Sequence, residues 1–91
     1  MDKYGARAWR TRLRNVLNTV WDPIGIGGGP DVYEYDGYDG KIATLVRSGA
    51  ADEDIRQCLR WAQTEHMGLG EPDAARLDRT LSAIRALGPI P

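Results

Sequence analysis

Apolar residues recur at helical spacing in four segments of the chain, roughly residues 6–20, 36–49, 52–66 and 72–88. Their apolar stripes are Trp9, Leu13, Val16, Leu17 and Val20; Tyr38, Ile42, Leu45 and Val46; Ile55, Cys58, Leu59 and Ala62; and Ala74, Leu77, Leu81, Ile84 and Leu87. No segment shows convincing strand alternation. The pattern predicts an all-α fold, a compact four-helix antiparallel bundle that forms a single domain over residues 1–91.

Residues that start and stop helices lie at the predicted boundaries. Pro23 ends the first helix, because proline lacks a backbone donor and disfavours helix at the preceding residue. Asp36 is the expected N-cap of the second helix. Asp39 places a negative charge in the first turn, where it interacts favourably with the helix dipole. Gly49 supplies a left-handed stop, and Pro72 is expected at the first position of the fourth helix.

The connector between the first two helices is the longest predicted non-helical stretch, and we expect it to be ordered. Trp21-Asp22-Pro23-Ile24-Gly25 opens it and is interpreted as a scaffold that stops the first helix and braces the connector. An acidic, tyrosine-rich run follows, with carboxylates at Asp31, Glu34, Asp36 and Asp39 and phenols at Tyr33, Tyr35 and Tyr38. Long ordered loops in small domains are more often functional than decorative.

Two interpretations of this run remain open. In the first, Asp36 caps a helix and the other carboxylates are simply solvated. In the second, the run is a protein-binding surface made of Tyr33, Glu34, Tyr35, Asp36, Tyr38 and Asp39, with the tyrosines as contact residues and the carboxylates steering a partner. Tyrosines with acidic neighbours offer rigid apolar area together with charge.

Composition limits the classes of partner. The 91 residues include 12 lysines and arginines against 13 aspartates and glutamates, a net charge of −1. No global charge draws the chain to nucleic acid or to an anionic membrane. Cys58 is the single cysteine, which excludes an internal disulfide and suits a reducing cytoplasm. No apolar stretch is long enough for a signal peptide or a membrane span, so we expect a cytoplasmic protein.

The distribution of charge on the first helix nevertheless supports one alternative function, the binding of nucleic acid. Arg7, Arg10 and Arg14 follow at i, i+3 and i+7 and form a stripe beside the apolar face of the first helix. Phosphate contacts need such a stripe. A solvated face, or pairing of these arginines with the nearby acidic run, explains the stripe equally simply.

Patterns for catalysis, cofactors and metals are not found. The glycine-rich segment from Gly25 to Pro30 lacks the preceding strand and the lysine of a phosphate-binding loop. The carboxylates lack the register of a calcium loop. Cys58 and His66 lie two helical turns apart without an orienting group, so a buried thiol and a helix-end histidine are expected instead. Trp61 lies about 100° from the centre of its helix's apolar face and either seals a helix edge or lies at a homodimer interface.

Several short pieces, in order, carry a resemblance. They are Leu17-Asn18, the Trp21 to Gly25 motif, Glu34-Tyr35-Asp36 with Tyr38, Gly49-Ala50, Asp54-Ile55 and His66-Met67-Gly68-Leu69. Together they resemble a YugE-like family of small bacterial proteins with a domain of unknown function. The resemblance implies a helical fold and a bacterial origin, and no activity. The chain departs from the pattern in its triple glycine from Gly27 to Gly29 and in Ala51, where a serine cap is expected.

These observations favour a non-enzymatic protein-binding module without a cofactor. Its concrete form is an immunity or antitoxin-type inhibitor, whose acidic surface suits a basic partner such as a nuclease. Nucleic-acid binding through the arginine stripe is the alternative from a second class, although protein is the favoured partner. A homo-oligomeric structural protein that associates around Trp61 is the third, so the chain is expected to be a monomer or a homodimer.

Overall fold

The computed structural model describes residues 3–25, residue 35 and residues 37–91. Within them lie four α-helices: α1 (Lys3–Val16), α2 (Tyr38–Arg47), α3 (Asp52–Trp61) and α4 (Ala74–Ala86). A π-helical turn, Leu17–Trp21, continues α1, and a second one, Ala62–His66, continues α3. No strand occurs in these residues, and the predicted all-α class is confirmed. The antiparallel bundle and the single domain stay predictions, and the predicted ordered connector falls largely on residues 26–34, outside the described residues.

The predicted stripes form one hydrophobic core. α1 packs against α2 and α4, and α3 packs against the same two helices. The buried apolar residues are Trp9, Leu13, Val16, Leu17, Trp21, Tyr35, Ile42, Ala43, Ile55, Leu59, Ala62, Leu77, Leu81 and Ile84. Trp9 Nε1 donates a hydrogen bond to the Gly88 carbonyl at 3.0 Å, which joins α1 to the end of α4. Ala74, predicted in the α4 stripe, is exposed.

Both π-helical turns share the same bond pattern. Asp22 N donates to the Leu17 carbonyl and Met67 N donates to the Ala62 carbonyl, each at 2.9 Å and each across five residues. An α-helical bond spans four residues, so each turn is wider than the helix that it continues. The helical segments therefore end at Trp21 and His66, close to the predicted ends.

The chain turns sharply after the first π-helical turn. Asp22 adopts a left-handed conformation with φ 33°, and Gly25 has φ 80°. Gly25 N donates to the Asp22 carbonyl at 3.1 Å. Pro23 follows the left-handed residue directly, which agrees with the predicted end of the first helix.

Two helix starts differ from the sequence prediction. Gly37 occupies the N-cap position of α2 with φ 99°, while Asp36, the predicted cap, lies outside the described residues. α4 begins at Ala74 rather than at Pro72, because the Asp73 carboxylate accepts a hydrogen bond from Arg76 N at 3.0 Å and thereby caps the helix. The predicted stop of the second helix is confirmed, since Gly49 is left-handed with φ 75°.

Replacing Ala51 by serine is expected to raise the free energy of unfolding by about 1 kcal/mol. Ala51 is the N-cap of α3, and its side chain makes no capping bond. Half of a capping box already exists, because Ala51 N donates to Asp54 Oδ2 at 3.3 Å. A serine hydroxyl would accept from Asp54 N and complete it. Urea denaturation measures the change. Ala86→Ser, at an exposed site at the end of α4, is the control and should bring no gain; an equal gain there would contradict the capping argument.

Candidate interaction surface

Tyr35 lies in the core. Its side chain is 1% exposed, and its ring centroid is 5.2 Å from that of Trp21. The hydroxyl donates to Asp22 Oδ1 at 2.7 Å and accepts from Ile24 N at 3.0 Å. From the core, the Tyr35 side chain therefore stabilises the turn that follows α1. This corrects the prediction that Tyr35 contacts a partner.

Asp39 is also buried, with 4% exposure. Its Oδ1 accepts from Gly37 N at 3.1 Å and from Gly40 N at 2.8 Å, and its Oδ2 pairs with Arg10 Nη2 at 3.1 Å. The carboxylate thus accepts hydrogen bonds from backbone amides at the start of α2. Through its pair with Arg10 it also holds this end of α2 against α1. This corrects the prediction of Asp39 as an exposed steering charge. Arg10 thus pairs with an acidic residue of the tyrosine-rich run. This agrees with the interpretation that arginines of the stripe pair with the nearby acidic run.

In the described part of the chain, one residue of the predicted binding surface, Tyr38, remains a candidate for contact with a partner. Tyr33, Glu34 and Asp36 lie outside the described residues. Tyr38 is half-buried, and its ring meets that of Trp21 edge-on at a centroid distance of 5.9 Å. Tyr38 therefore remains a surface residue, with one side of its ring supported by the core.

Three rings form a group that we call the ring stack: Tyr38, Trp61 and His66. The Tyr38 and His66 rings meet edge-on at 5.4 Å, and the Tyr38 hydroxyl is hydrogen-bonded to His66 Nδ1. Trp61 and His66 lie nearly parallel, with centroids 5.5 Å apart and 18° between planes. Partial burial raises the pKa of Tyr38, so the hydroxyl keeps its proton at neutral pH.

Trp61 is the most exposed member of the ring stack, with 42% of its surface accessible. Lys41 Nζ lies 4.5 Å from the centroid of its ring, a cation–π contact. Trp61 also lines a shallow depression with Gln57, Arg60, Thr64, Glu65 and Glu71. Arg60 Nε and Glu71 Oε2, 2.8 Å apart, close one side of this depression. The site is therefore an exposed aromatic surface surrounded by charged groups.

The arginine stripe lines a separate open groove. Arg7, Arg10 and Arg14 form it together with Thr11 of α1 and with Gly37, Asp39 and Gly40 at the start of α2. The sequence predicted the stripe, but the contribution of α2 could not be read from spacing within α1.

Cys58, expected to be buried, is half-buried and packs against the core. Burial raises the pKa of its thiol, and the nearby charge of Lys41 lowers that pKa by a smaller amount. The thiol is protonated at neutral pH and is a poor nucleophile.

Comparison with models of protein families, with curated proteins and with solved structures finds no match to this chain. The resemblance to YugE-like proteins therefore stays a prediction. Among the described residues, no three histidine, cysteine, aspartate or glutamate side chains are grouped so that they could hold a metal ion. Nor does any helix in this part of the chain combine the length and the apolar character that crossing a bilayer requires.

Proposed function

We propose that this chain is a non-enzymatic protein-binding module and that the ring stack is the centre of its binding surface. The observation that carries the proposal is the exposed Trp61, which lies parallel to His66 while His66 is hydrogen-bonded to Tyr38. Tryptophan and tyrosine are enriched among the few residues that dominate binding energy at protein interfaces.

The ring stack is suited to binding because its rings are already held in place. Ordering a mobile side chain at an interface costs roughly 0.5–1.5 kcal/mol. Trp61 is restrained by His66 and by Lys41, and Tyr38 is restrained by the buried Trp21. A partner that covers Trp61 therefore gains apolar contact with a small entropic loss.

One carboxylate beside Trp61, that of Glu65, supports a basic partner, while Glu71 is paired with Arg60 and Lys41 lies over the ring. Glu65 and Glu71 line the same depression, and Glu65 forms no salt bridge with another described residue. Exposed carboxylates around an aromatic centre steer a cationic surface and accelerate association. We therefore keep the inhibitor form of the proposal, an immunity or antitoxin-type protein for a basic partner, and move its binding surface from the acidic run to the ring stack.

Affinity capture with matched variants tests this function. Tagged wild-type protein, Trp61→Ala and Ile24→Ala are used with extract of the source cells, and the partner identified by mass spectrometry is purified and titrated by calorimetry. Trp61→Ala should weaken binding about tenfold or more. Ile24→Ala removes another exposed apolar side chain, 50% accessible and outside the ring stack, and should bind normally. Equal affinity of wild type and Trp61→Ala would refute the assigned surface.

The identity of the captured partner, together with light scattering, distinguishes this proposal from the homo-oligomeric alternative. If the captured partner is a second copy of this chain, light scattering of the wild type shows a dimer that Trp61→Ala dissociates. A monomer at high concentration, together with a captured heterologous partner, excludes that alternative.

A further inference from the structure

Five rings follow one another from the core to the surface, and we call them the ring row: Tyr35, Trp21, Tyr38, His66 and Trp61. The centroid of the Trp21 ring is 5.2 Å from that of Tyr35 and 5.9 Å from that of Tyr38. The Tyr38 ring then contacts His66 at 5.4 Å, and His66 contacts Trp61 at 5.5 Å. Trp21 is 0% exposed and Trp61 is 42% exposed. The ring row therefore joins the core to an indole that solvent reaches.

Trp61 is the tryptophan that an oxidant in solution meets. The other two tryptophans, Trp9 and Trp21, are both 0% exposed. Indole and phenol are the side-chain rings that lose a single electron most easily, and loss of an electron from indole leaves a radical cation. Lys41 Nζ lies 4.5 Å from the centroid of the Trp61 ring, and its charge repels a positive charge on the indole. Oxidised Trp61 therefore draws an electron strongly from a neighbouring ring.

Tyr38 has the group that a tyrosine needs in order to supply this electron, an acceptor for its proton. A phenol radical cation is strongly acidic, so tyrosine is oxidised readily only where the hydroxyl proton leaves together with the electron. The Tyr38 hydroxyl is hydrogen-bonded to His66 Nδ1. The same imidazole lies nearly parallel to the Trp61 ring, with 18° between the planes. His66 therefore contacts both the ring that gives the electron and the ring that receives it.

We propose that the ring stack is a redox-active site, at which a strong one-electron oxidant in solution converts Tyr38 to a neutral phenoxyl radical. The oxidant takes one electron from Trp61. Trp61 then recovers an electron from Tyr38, while the phenolic O–H bond breaks and the proton forms an N–H bond at His66 Nδ1. The products are the reduced oxidant, neutral Trp61, the Tyr38 radical and an imidazolium stacked on the indole, which is a favourable cation–π contact. The step does not depend on protein binding at the ring stack.

Tyr35 provides an internal comparison for Tyr38. Its hydroxyl also has a proton acceptor, since it donates to Asp22 Oδ1 at 2.7 Å. In the ring row, however, Trp21 and Tyr38 lie between Tyr35 and the His66–Trp61 pair. The rate of electron transfer falls steeply with the distance between donor and acceptor. Tyr38 is therefore expected to reduce oxidised Trp61 before Tyr35 does.

Flash photolysis with ruthenium(III) tris-bipyridine, generated by light, tests the proposal. Dilute protein is used at pH about 8, where a free imidazole is neutral, and transient absorption follows the indole and phenoxyl radicals. In wild type the indole radical should decay as the phenoxyl radical appears, at a rate that does not change with protein concentration. Tyr38→Phe should abolish this conversion. Tyr35→Phe, the matched control, should leave the rate close to that of wild type.

Two further measurements test the assigned proton acceptor. His66→Phe keeps an aromatic ring beside Trp61 and removes Nδ1, and it should slow the conversion at least about tenfold, because a positioned proton acceptor typically contributes roughly 10²–10⁴-fold. Wild type should also react more slowly in deuterium oxide, since the phenolic proton moves with the electron. Circular dichroism of each variant guards against a folding effect.

Three results would overturn the proposal. The first is an indole radical that decays equally fast in folded wild type and folded Tyr38→Phe, which would show that Tyr38 is not the electron donor. The second is an equal loss with Tyr38→Phe and Tyr35→Phe, which would remove the order assigned to the ring row. The third is an unchanged rate in both His66→Phe and deuterium oxide, which would show that His66 does not take the proton.

Discussion

Replacing Trp21 by alanine is expected to lower the free energy of unfolding by about 3–5 kcal/mol. Trp21 ends the first π-helical turn with 0% exposure. It contacts the rings of Tyr35 and Tyr38 at centroid distances of 5.2 and 5.9 Å. Removing the indole leaves a cavity where α1, the start of α2 and Tyr35 meet.

The expected loss is a large fraction of the stability of such a domain, which is typically about 5–15 kcal/mol. Urea or thermal denaturation, followed by circular dichroism, measures it. Trp61→Ala is the matched control, because it removes the same side chain from a site that is 42% exposed and should cost clearly less than Trp21→Ala. Similar losses in the two variants would show that Trp21 does not occupy the core position described above.

Replacing Asp39 by alanine has the second largest expected effect, a loss of roughly 2–3 kcal/mol. The substitution removes the acceptor of the Gly37 and Gly40 amides and breaks the 3.1 Å contact with Arg10. The N-terminus of α2 then loses its capping group. Arg10 loses the carboxylate that holds it against α2.

Asp78→Ala provides the comparison for Asp39. Asp78 also pairs with an arginine, at 2.8 Å from Arg56 Nη2, but its side chain is 65% exposed. Exposed pairs contribute about 0–1 kcal/mol, so this variant should differ little from wild type in chemical denaturation. If both aspartate variants lose the same small amount, the structural role assigned to Asp39 is wrong.

The fold was predictable from the apolar stripes because α-helical burial repeats every 3.6 residues. Leu13, Ile42 and Leu59 were all placed in predicted stripes, and all are buried. Tyr35 was misplaced because its burial depends on Asp22, thirteen positions earlier, and on the left-handed turn between them. Local sequence marks Tyr35 only as an aromatic residue among acids, which is equally typical of an exposed loop.

The ring stack was missed for a different reason. With an α-helical period, residues five apart point about 140° away from each other, so Trp61 and His66 would not meet. The π-helical turn Ala62–His66 changes that angle and brings the two rings within 5.5 Å. A sequence offers little warning of such a turn. The two π-helical turns share one sequence feature, a buried side-chain amide followed by a threonine. It is Asn18-Thr19 in the first turn and Gln63-Thr64 in the second.

The two π-helical turns also bear on how this chain tolerates insertions and deletions. Each turn holds one residue more than an α-helical turn does. A one-residue deletion between Ala62 and His66 would let α3 continue with regular bonds and would leave the histidine four positions after Trp61, about 40° around the helix, so that both the apolar stripe and the contact between the two rings are kept. An alignment gap of one residue at this point is therefore compatible with an unchanged core and an unchanged ring stack.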